Sequence, residues 1–153
     1  MKDPLTSLYN RRHFYPYVEE KVKAAQQKED PISLILIDFN NFKDINDHLG
    51  HQEGDQVLKS FANLLLAIRK NFDGAFRFGG DEFVLVIPGC GEETAEEIAR
   101  KLNQDIKNLH KKASISYGFI ELTHFDESDS MSIDNYLNIA DKRMYDNKNY
   151  AKR

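Results

Sequence analysis

The amino-acid sequence predicts an α+β fold in which a mainly antiparallel central sheet is flanked by helices. Apolar residues recur at helical spacing in four segments, short apolar runs of strand length separate these segments, and a Gly-Gly corner joins two of the runs. The predicted order is α-β-α-β-β-α-β-α. Without its first helix, this order gives the βαββαβ core of ferredoxin-like, or palm-type, folds, with helices added at the N- and C-terminal ends.

The first half of the chain predicts two helices with a strand between them. The first helix covers residues 10–27, and the strand covers residues 32–39, whose apolar run ISLILIDF indicates burial on both faces. A polar stretch over residues 40–54 leads into the next helix. The inward positions of the two helices are Phe14, Val18 and Val22, then Val57, Leu58, Phe61, Leu64, Leu65 and Ile68.

The second half predicts a hairpin followed by a helix, a strand and a last helix. The hairpin strands cover residues 75–78 and 83–87, and glycine accepts the positive φ of the corner between them. Residues 94–97, TAEE, have the spacing of a capping box and predict a helix start. The inward positions of this helix are Ile98, Leu102, Ile106 and Leu109. A strand over 113–122 and a loop over 123–132 follow. The chain ends in a helix over 133–149, with Leu137, Ala140 and Met144 inward.

Composition and charge restrict the class of protein. At 153 residues the chain suits one domain, and a net charge of −4 provides no basic surface for nucleic acid. Cys90 is the only cysteine and the first ten residues lack an apolar leader core, which together favour a reducing cytoplasm. No apolar run approaches the roughly 20 residues that span a bilayer. We expect no membrane contact by this segment, whereas a longer protein containing it could be membrane-anchored.

Two acids stand where the predicted elements end. Asp38 closes the apolar run of the first strand, and Asp81 follows the Gly-Gly corner of the hairpin. The βαββαβ order can bring these positions together across neighbouring strands. Because two close carboxylates repel unless a cation lies between them, the pair predicts a divalent metal. Mg²⁺ prefers such oxygen ligands, a backbone carbonyl at Phe39 would add another, and Mn²⁺ fits the same set.

The residues after Asp38 are suited to a nucleotide. Lys43 is a point charge for phosphate, and the backbone amides of residues 39–42 can cradle it. Asp55 can accept two hydrogen bonds from the N1–H and amino group of guanine, and Asn46 adds an amide. Adenine has no such pair of donors, so this set favours guanine.

Two lysines near the end of the chain extend the predicted phosphate site. Lys148 and Lys152 lie one helical turn apart and share a face, where they could hold the outer phosphates. Simpler roles compete with these interpretations: the lysines as cations at a helix C-terminus, Asp38 as a strand-ending cap, Asp55 as a helix-dipole partner, and the Gly-Gly-Asp-Glu corner as a solvated turn.

Five segments together carry a resemblance to a known family. DPLTSLYNRR, DFNNFKDINDHLGHQEGD, RFGGDEF, SISYGF and ADKRMYDNK occur in the order and spacing of the GGDEF domain of diguanylate cyclases. Residues 1–153 are identified as a single GGDEF domain on this basis. The resemblance implies Mg²⁺-dependent condensation of two GTP molecules into cyclic di-GMP by a transient homodimer, in which each copy holds one GTP.

The resemblance also implies roles for individual positions. Asp38, Asp81 and the Phe39 carbonyl correspond to the metal ligands, and Glu82 corresponds to a supporting or proton-handling group. Lys43 acts beside these acids on phosphate. The positions implied in substrate binding are Phe39, Phe42, Asn46, Asp55, Gly79, Gly80, Lys148 and Lys152, with Phe78 as a further wall residue.

Three departures from the family pattern affect these expectations. Lys152 stands where arginine is usual, which keeps the charge but loses the two-pronged grip on phosphate. Asn40 replaces a common aspartate and leaves the main ligand intact. The usual Arg-x-x-Asp inhibition site reads KNFD here, from Lys70 to Asp73, so we expect weak or absent feedback inhibition by cyclic di-GMP.

The expected function is therefore a diguanylate cyclase catalytic domain, with an upstream sensory domain as a further expectation for a longer protein. The alternative is a non-catalytic domain that binds GTP or a related nucleotide and regulates a partner, because the same fold supports both. The intact acids Asp38, Asp81 and Glu82 favour the enzyme, and Lys152 keeps the alternative open.

Overall fold

A computed structural model of the chain describes residues 2–122 and 131–151. Lys152 and nearly all of the predicted loop over 123–132 lie outside the described residues. The described elements are β1 (Tyr9–Asn10), α1 (Arg11–Lys28), β2 (Ile32–Phe39), α2 (Phe42–Leu49), α3 (His51–Leu66), β3 (Ala75–Gly79), β4 (Glu82–Pro88), α4 (Glu92–Leu109), β5 (Ile115–Glu121) and α5 (Met131–Ala151). No helix in these ranges is long and apolar enough to cross a membrane.

The strands form one mixed sheet in the order β1-β3-β4-β2-β5. β2 lies at its centre and pairs antiparallel with β4 and with β5, whereas the two-residue β1 pairs parallel with β3. The mainly antiparallel sheet predicted from the sequence is confirmed. In this register Asp38, the penultimate residue of β2, lies between Glu82 on β4 and Ser116 on β5.

Helices cover both faces of the sheet, and alternate residues of β2 point to opposite faces. Ile35, Ile37 and Phe39 belong to the buried cluster under α3 and α4. Leu34 and Leu36 belong to the cluster under α1 and α5. By the same alternation Asp38 belongs to the α1 and α5 face. The helices added at the chain ends therefore cover the face that holds this acid.

The last helix approaches the sheet closely at Gly118 of β5. A side-chain carbon at this position would lie 2.0 Å from the carbonyl oxygen of Ala140, so only glycine allows the contact. Two turns further along α5, Asn147 donates to the carbonyl of Tyr117 (3.2 Å). Because α5 runs antiparallel to β5, its C-terminal end lies toward the edge of the sheet where Asp38 sits.

Two elements were missed from the sequence. β1 has only two residues, too few for a period to show. α2 falls within the stretch that we interpreted as polar, although Phe42, Ile45 and Leu49 have helical spacing and Ile45 is buried. The polar segment is a helix because a short apolar face packs against the core and its other positions face solvent.

Two predictions for α4 were wrong. The helix begins at Glu92 after Gly91, so Thr94 lies within its first turn and does not cap it. Glu92 and Glu93 at the start favour the helix dipole, which explains the earlier beginning. Leu109, expected to face inward, is 56% exposed. It is the last helical residue, and the chain becomes extended at His110.

Candidate metal and nucleotide site

The end of β2 and the Gly79-Gly80 corner meet at one edge of the sheet. The backbone N–H of Phe39 donates to the carbonyl of Asp81 (3.3 Å), which ties the strand end to the corner. Asp38 and Glu82 are directly opposed in the ladder, and Asp81 precedes Glu82. The structure thus brings together all three acids that the sequence singled out.

The carboxyl groups of Asp38 and Asp81 interact directly. Partial burial raises the pKa of Asp81 above its usual range, and the negative charge of Asp38 together with a hydrogen bond between the two side chains raises it further. The prediction that these two positions meet is confirmed. Two close carboxylates in a partly buried place require a shared proton or a cation to relieve their repulsion.

The oxygen donors present suit a hard divalent cation. No group of three or more His, Cys, Asp or Glu side chains in residues 2–122 and 131–151 has the geometry to hold a metal. An ion here would instead rest on the two carboxylates of Asp38 and Asp81, the backbone carbonyl predicted at Phe39, and oxygens from water or substrate. Mg²⁺ commonly binds in this way, with few protein ligands and substrate phosphates.

The corner that carries Asp81 is held by an arginine that sequence reasoning missed. Arg77 donates twice to the carbonyl of Gly80, from Nε (3.0 Å) and from a terminal nitrogen (2.7 Å). Its other terminal nitrogen pairs with Asp3 at 2.9 Å. Gly80 has φ +45°, a conformation that favours glycine. Arg77 and Asp3 belong to the RFGG and DPLT segments that the sequence analysis quoted, but their spacing alone assigns no role to either residue.

Asp3 is itself firmly held. Its carboxylate accepts hydrogen bonds from the backbone N–H (2.9 Å) and the hydroxyl (2.7 Å) of Thr6. Partial burial works to raise its pKa, but the bonds from Arg77 and Thr6 outweigh burial and lower it. The N-terminal turn is therefore joined to the hairpin corner through one salt bridge.

Asn40 joins β2 to β5 beside the acid pair. Its amide nitrogen donates to the hydroxyl oxygen of Ser114 (3.0 Å), and its amide oxygen accepts from the hydroxyl of Ser116 (2.6 Å). Ser116 is the residue opposite Asp38. An ionised aspartate at position 40 could only accept from the Ser114 hydroxyl, so the asparagine found here donates where the common residue could not.

The start of α2 follows the end of β2 after two residues. Asn41, in a left-handed conformation at φ 52°, turns the chain, and its side chain does not cap the helix. The first backbone N–H groups of a helix lack partners within it and suit an anion. Lys43 is exposed on this first turn, and Phe42 packs its ring 5.6 Å from that of Phe39. The prediction of a cradle over residues 39–42 was wrong for its first half, because the N–H groups of Phe39 and Asn40 already donate to the carbonyls of Asp81 and Ser114. The half at the helix start stays a prediction.

The proposed guanine readers lie on the neighbouring helices α2 and α3. Asn46 is half-buried, and its amide oxygen lies so close to Gly54 that a side-chain carbon there would be 1.9 Å away. Asp55, the next residue, is exposed. Gly54 was not singled out from the sequence, although a glycine inside a helix is a recognised sign of close packing. It gives Asn46 its position beside Asp55.

Gly79, Lys148 and Lys152 are the remaining residues that the sequence predicted for substrate binding. Gly79 is exposed with open space around it and ordinary φ, so only Gly80 needs to be glycine for conformation. Lys148 lies in α5 one residue after Asn147, toward the Asp38 end of β5. Lys152 lies outside the described part of the chain.

A cavity opens beside Glu82 on the α1 and α5 face. It has a volume of about 150 Å³, and Glu82 is exposed at its wall. The wall residue predicted from the sequence, Phe78, also lines it. Its remaining lining comes from α1, β2 and α5: Arg11, Leu36, Ile37, Leu137, Asn138, Asp141 and Met144.

The KNFD segment lies away from the acid pair, against α1. The hydroxyl of Tyr17 donates to the carboxylate of Asp73 (2.8 Å). Burial raises the pKa of Tyr17, and the bond to Asp73 raises it further, whereas Arg69 lowers it. The carboxylate of Asp73 therefore already has a partner, and the arginine charge that acts on the bonded Tyr17 comes from Arg69.

The arrangement defines a palm-type domain with paired acids at the end of its central strands and a helix start beside them. The family model for the diguanylate cyclase GGDEF domain matches residues 1–153. The chain belongs to this family.

Known relatives agree with this assignment. The diguanylate cyclase DgcS of Shewanella oneidensis is 34% identical over 151 residues, covering 97% of this chain and 49% of the relative. The active GGEEF domain of a Vibrio cholerae diguanylate cyclase superposes with a TM-score of 0.79 at 30% identity, covering 94% of this chain and 92% of that one. SiaD of Pseudomonas aeruginosa, solved in complex with its activator SiaC, superposes with a TM-score of 0.82 at 27% identity. The match covers 97% of this chain and 58% of that one. The chain spans about half the length of DgcS.

Proposed function

We propose that the chain is a diguanylate cyclase domain that condenses two GTP molecules into cyclic di-GMP. In each of two transfers, the 3′-hydroxyl oxygen of one guanosine attacks the α-phosphorus of the other nucleotide. The bond from that phosphorus to the β-phosphate bridge breaks, and pyrophosphate leaves. The observation that carries this proposal is the meeting of three acids at one strand end, where Asp38 opposes Glu82 in the ladder and the Phe39 N–H donates to the carbonyl of Asp81.

The acid pair is the site we assign to Mg²⁺, with Mn²⁺ as a substitute. The bound ion would neutralise phosphate charge and favour ionisation of the attacking hydroxyl. Asp38 and Asp81 hold it, Phe39 offers its carbonyl, and Glu82 takes the hydroxyl proton. The chemistry of the donors supports this assignment, since the oxygens are close, partly buried and of like charge.

The substrate we assign is GTP, held across the end of the sheet. Asp55 and Asn46 read the guanine edge, and Gly54 supports the assignment because it fixes Asn46. Lys43 and the first N–H groups of α2 hold the inner phosphates, with Phe42 beside them. We assign the outer phosphates to Lys148 and Lys152, and the approach of the corner to the nucleotide to Gly79 and Gly80.

Catalysis on this proposal needs two copies, because each holds one GTP and the product joins both. A transient homodimer meets this requirement. An upstream sensory or dimerising domain would raise the local concentration of the two copies. The length of DgcS, about twice that of this chain, and the activator complex of SiaD support control from outside the domain.

Feedback inhibition is expected to be weak or absent. Lysine at position 70 lacks the planar fork of arginine, and Asp73 is already bound by the Tyr17 hydroxyl. Cyclic di-GMP should leave turnover within about twofold of its uninhibited value, the range of a poorly held ligand. Inhibition at micromolar product that disappears in Asp73→Ala would contradict this expectation, and Arg69→Ala would reveal whether that arginine substitutes for the missing one.

The cyclase proposal is tested with the domain fused to a dimerising coiled coil, incubated with GTP and Mg²⁺. We expect cyclic di-GMP in the wild type and none above background in Asp38→Asn. Asp44→Asn, an exposed acid on α2, is the matched control and should retain activity. If the fused wild type binds GTP yet forms no product, the domain is a non-catalytic nucleotide receptor.

A further inference from the structure

One outer edge of the sheet is formed by β5, the last strand in the sheet order. Just beyond the two ends of its ladder with β2, Asn40 donates to the carbonyl of Ser114, and Leu122 donates to that of Ile32 (2.9 Å each). The even-numbered positions therefore bond toward β2. By the alternation of an antiparallel ladder, the backbone groups of the odd-numbered residues of β5 point away from the sheet. Such edge groups have no strand partner and need side chains or water instead.

Two side chains of α5 bind successive outward carbonyls of this edge. Asn147 donates to the carbonyl of Tyr117 (3.2 Å), and Arg143 donates to the carbonyl of Phe119 (2.8 Å). Four helical residues rise about 6 Å and two strand residues about 7 Å, so the two spacings match. Arg143 also pairs with Glu92 at the start of α4 (2.8 Å). These bonds hold the helix along the edge of the strand.

The bond from Asn147 lies beyond the apolar contacts of α5. Among the side chains of this helix that the structure describes, which reach residue 147, Met144 is the last buried one. Tyr145 and Asp146 are exposed. The helix ends at Ala151, and helix ends at a chain terminus fray unless they are tied down. Asn147 therefore provides a polar tether where apolar packing has stopped.

The tether lies next to the level of the acid pair. Tyr117 neighbours Ser116, which opposes Asp38 in the ladder. Lys148 follows Asn147 directly in the last turn of α5, and the proposed function assigns it to the outer phosphates. A fixed helix end restricts the positions that this residue can take. A frayed end would have to be ordered when GTP binds, and that ordering costs affinity.

We propose that Asn147 is a positioning residue for the triphosphate of GTP. By binding the carbonyl of Tyr117, it fixes the last turn of α5 and with it the grip of Lys148 on the outer phosphates. Asn147 itself does not touch the nucleotide. The inference rests on the proposed function for the role of Lys148, whereas the tether rests on the bond to β5. Its loss should weaken recognition of the β- and γ-phosphates and leave recognition of guanine unchanged.

The tether is tested by hydrogen exchange in the nucleotide-free domain. Valine has about the helix propensity of asparagine but no donor, so Asn147→Val removes the bond alone. The backbone amides of residues 145–151 should exchange about fivefold faster, the scale of one hydrogen bond, and those of residues 133–144 should keep their rates. Asn135→Val changes an exposed asparagine of the same helix and should leave both segments unchanged. Wild-type exchange throughout Asn147→Val would overturn the proposal.

The phosphate grip is tested with two probes that bind to the dilute domain with Mg²⁺. One is a non-hydrolysable GTP analogue, and the other is GMP, which presents the same guanine without the outer phosphates. Asn147→Val should weaken binding of the analogue about fivefold and keep that of GMP within about twofold. Asn135→Val should bind both probes as wild type does. An equal loss for both probes, or no loss for the analogue, would overturn the proposal.

Turnover separates this inference from the proposed cyclase function. In the dimerised domain, Asn147→Val should raise KM for GTP about fivefold and keep kcat within about twofold, as for a contact made alike in bound substrate and transition state. A fall in kcat at unchanged KM would contradict the positioning role. If wild type binds the analogue but makes no cyclic di-GMP, the cyclase function fails, and the binding comparison still decides the role of Asn147. A wild type that binds the analogue no better than GMP would overturn the inference.

Discussion

Asp3 and Asp81 are both partly buried carboxylates, and both are linked to the same hairpin corner. Asp3 accepts bonds from Arg77 and Thr6, and its pKa is lowered. Asp81 faces Asp38, and its pKa is raised by burial and by that charge. The first acid is paired with a cation of the protein, whereas the second faces another acid. The difference separates an acid that holds the structure from one suited to an outside cation.

The largest expected effect comes from removing the charge of Asp81. Asp81→Asn should reduce cyclic di-GMP synthesis by on the order of a thousandfold, the scale seen when a group that stabilises transition-state charge is lost. The metal-free variant should be as stable as wild type at pH 7 or more so, since the repulsion with Asp38 is gone. Product formation and urea unfolding measure the two quantities. A less stable, still active variant would show that Asp81 acts like Asp3.

The arginine that joins the two acids should give the next largest effect. Arg77→Ala leaves Asp3 without its charged partner and removes both bonds to Gly80. We expect a loss of about 3 kcal/mol in the free energy of unfolding, the scale of charge-assisted hydrogen bonds. Turnover should also fall, because Asp81 is displaced. Urea unfolding of Arg77→Ala and Arg77→Lys provides the measurement. If both variants were as stable as wild type, Arg77 would not stabilise the hairpin corner.

The elements that dominate the fold were predictable from the sequence, whereas the salt bridge between Arg77 and Asp3 was not. The bounds of β2 follow from its apolar run, which only Ser33 interrupts before Asp38, and the hairpin follows from its glycines, because both signals are local. Asp38 was placed correctly for the same reason. The bond from Arg77 to Asp3 depends on folding that joins residues 74 positions apart. No period in the sequence reports such a contact. Gly54, by contrast, had a local signal, since a glycine inside a helix indicates close packing.

The smallest effect concerns pH and has opposite signs for the two acids. The lowered pKa of Asp3 adds stability above its unfolded pKa, about 3.9, and this is lost as pH falls through the folded value. The raised pKa of Asp81 adds stability below about 3.9, and this is lost as pH rises through its folded value. Urea unfolding of the metal-free domain across pH 2–7 measures both.

In that measurement, Asp3→Asn should lose about 1.5 kcal/mol at pH 7, the scale of a hydrogen bond to a charged group, and little in acid. For Asp81→Asn, the free energy of unfolding relative to that of wild type should instead rise as the pH rises. Parallel pH profiles for the two variants would remove the distinction between the acids.

Anomalous diffraction from crystals of the domain with Mn²⁺ and a non-hydrolysable GTP analogue tests the central claim most directly. We predict one strong manganese peak between Asp38 and Asp81, with a carboxylate oxygen of each at about 2.2 Å, near the bond length of a small divalent ion with oxygen ligands. A peak that contacts only one of these carboxylates, or that lies on the nucleotide alone, would contradict the account.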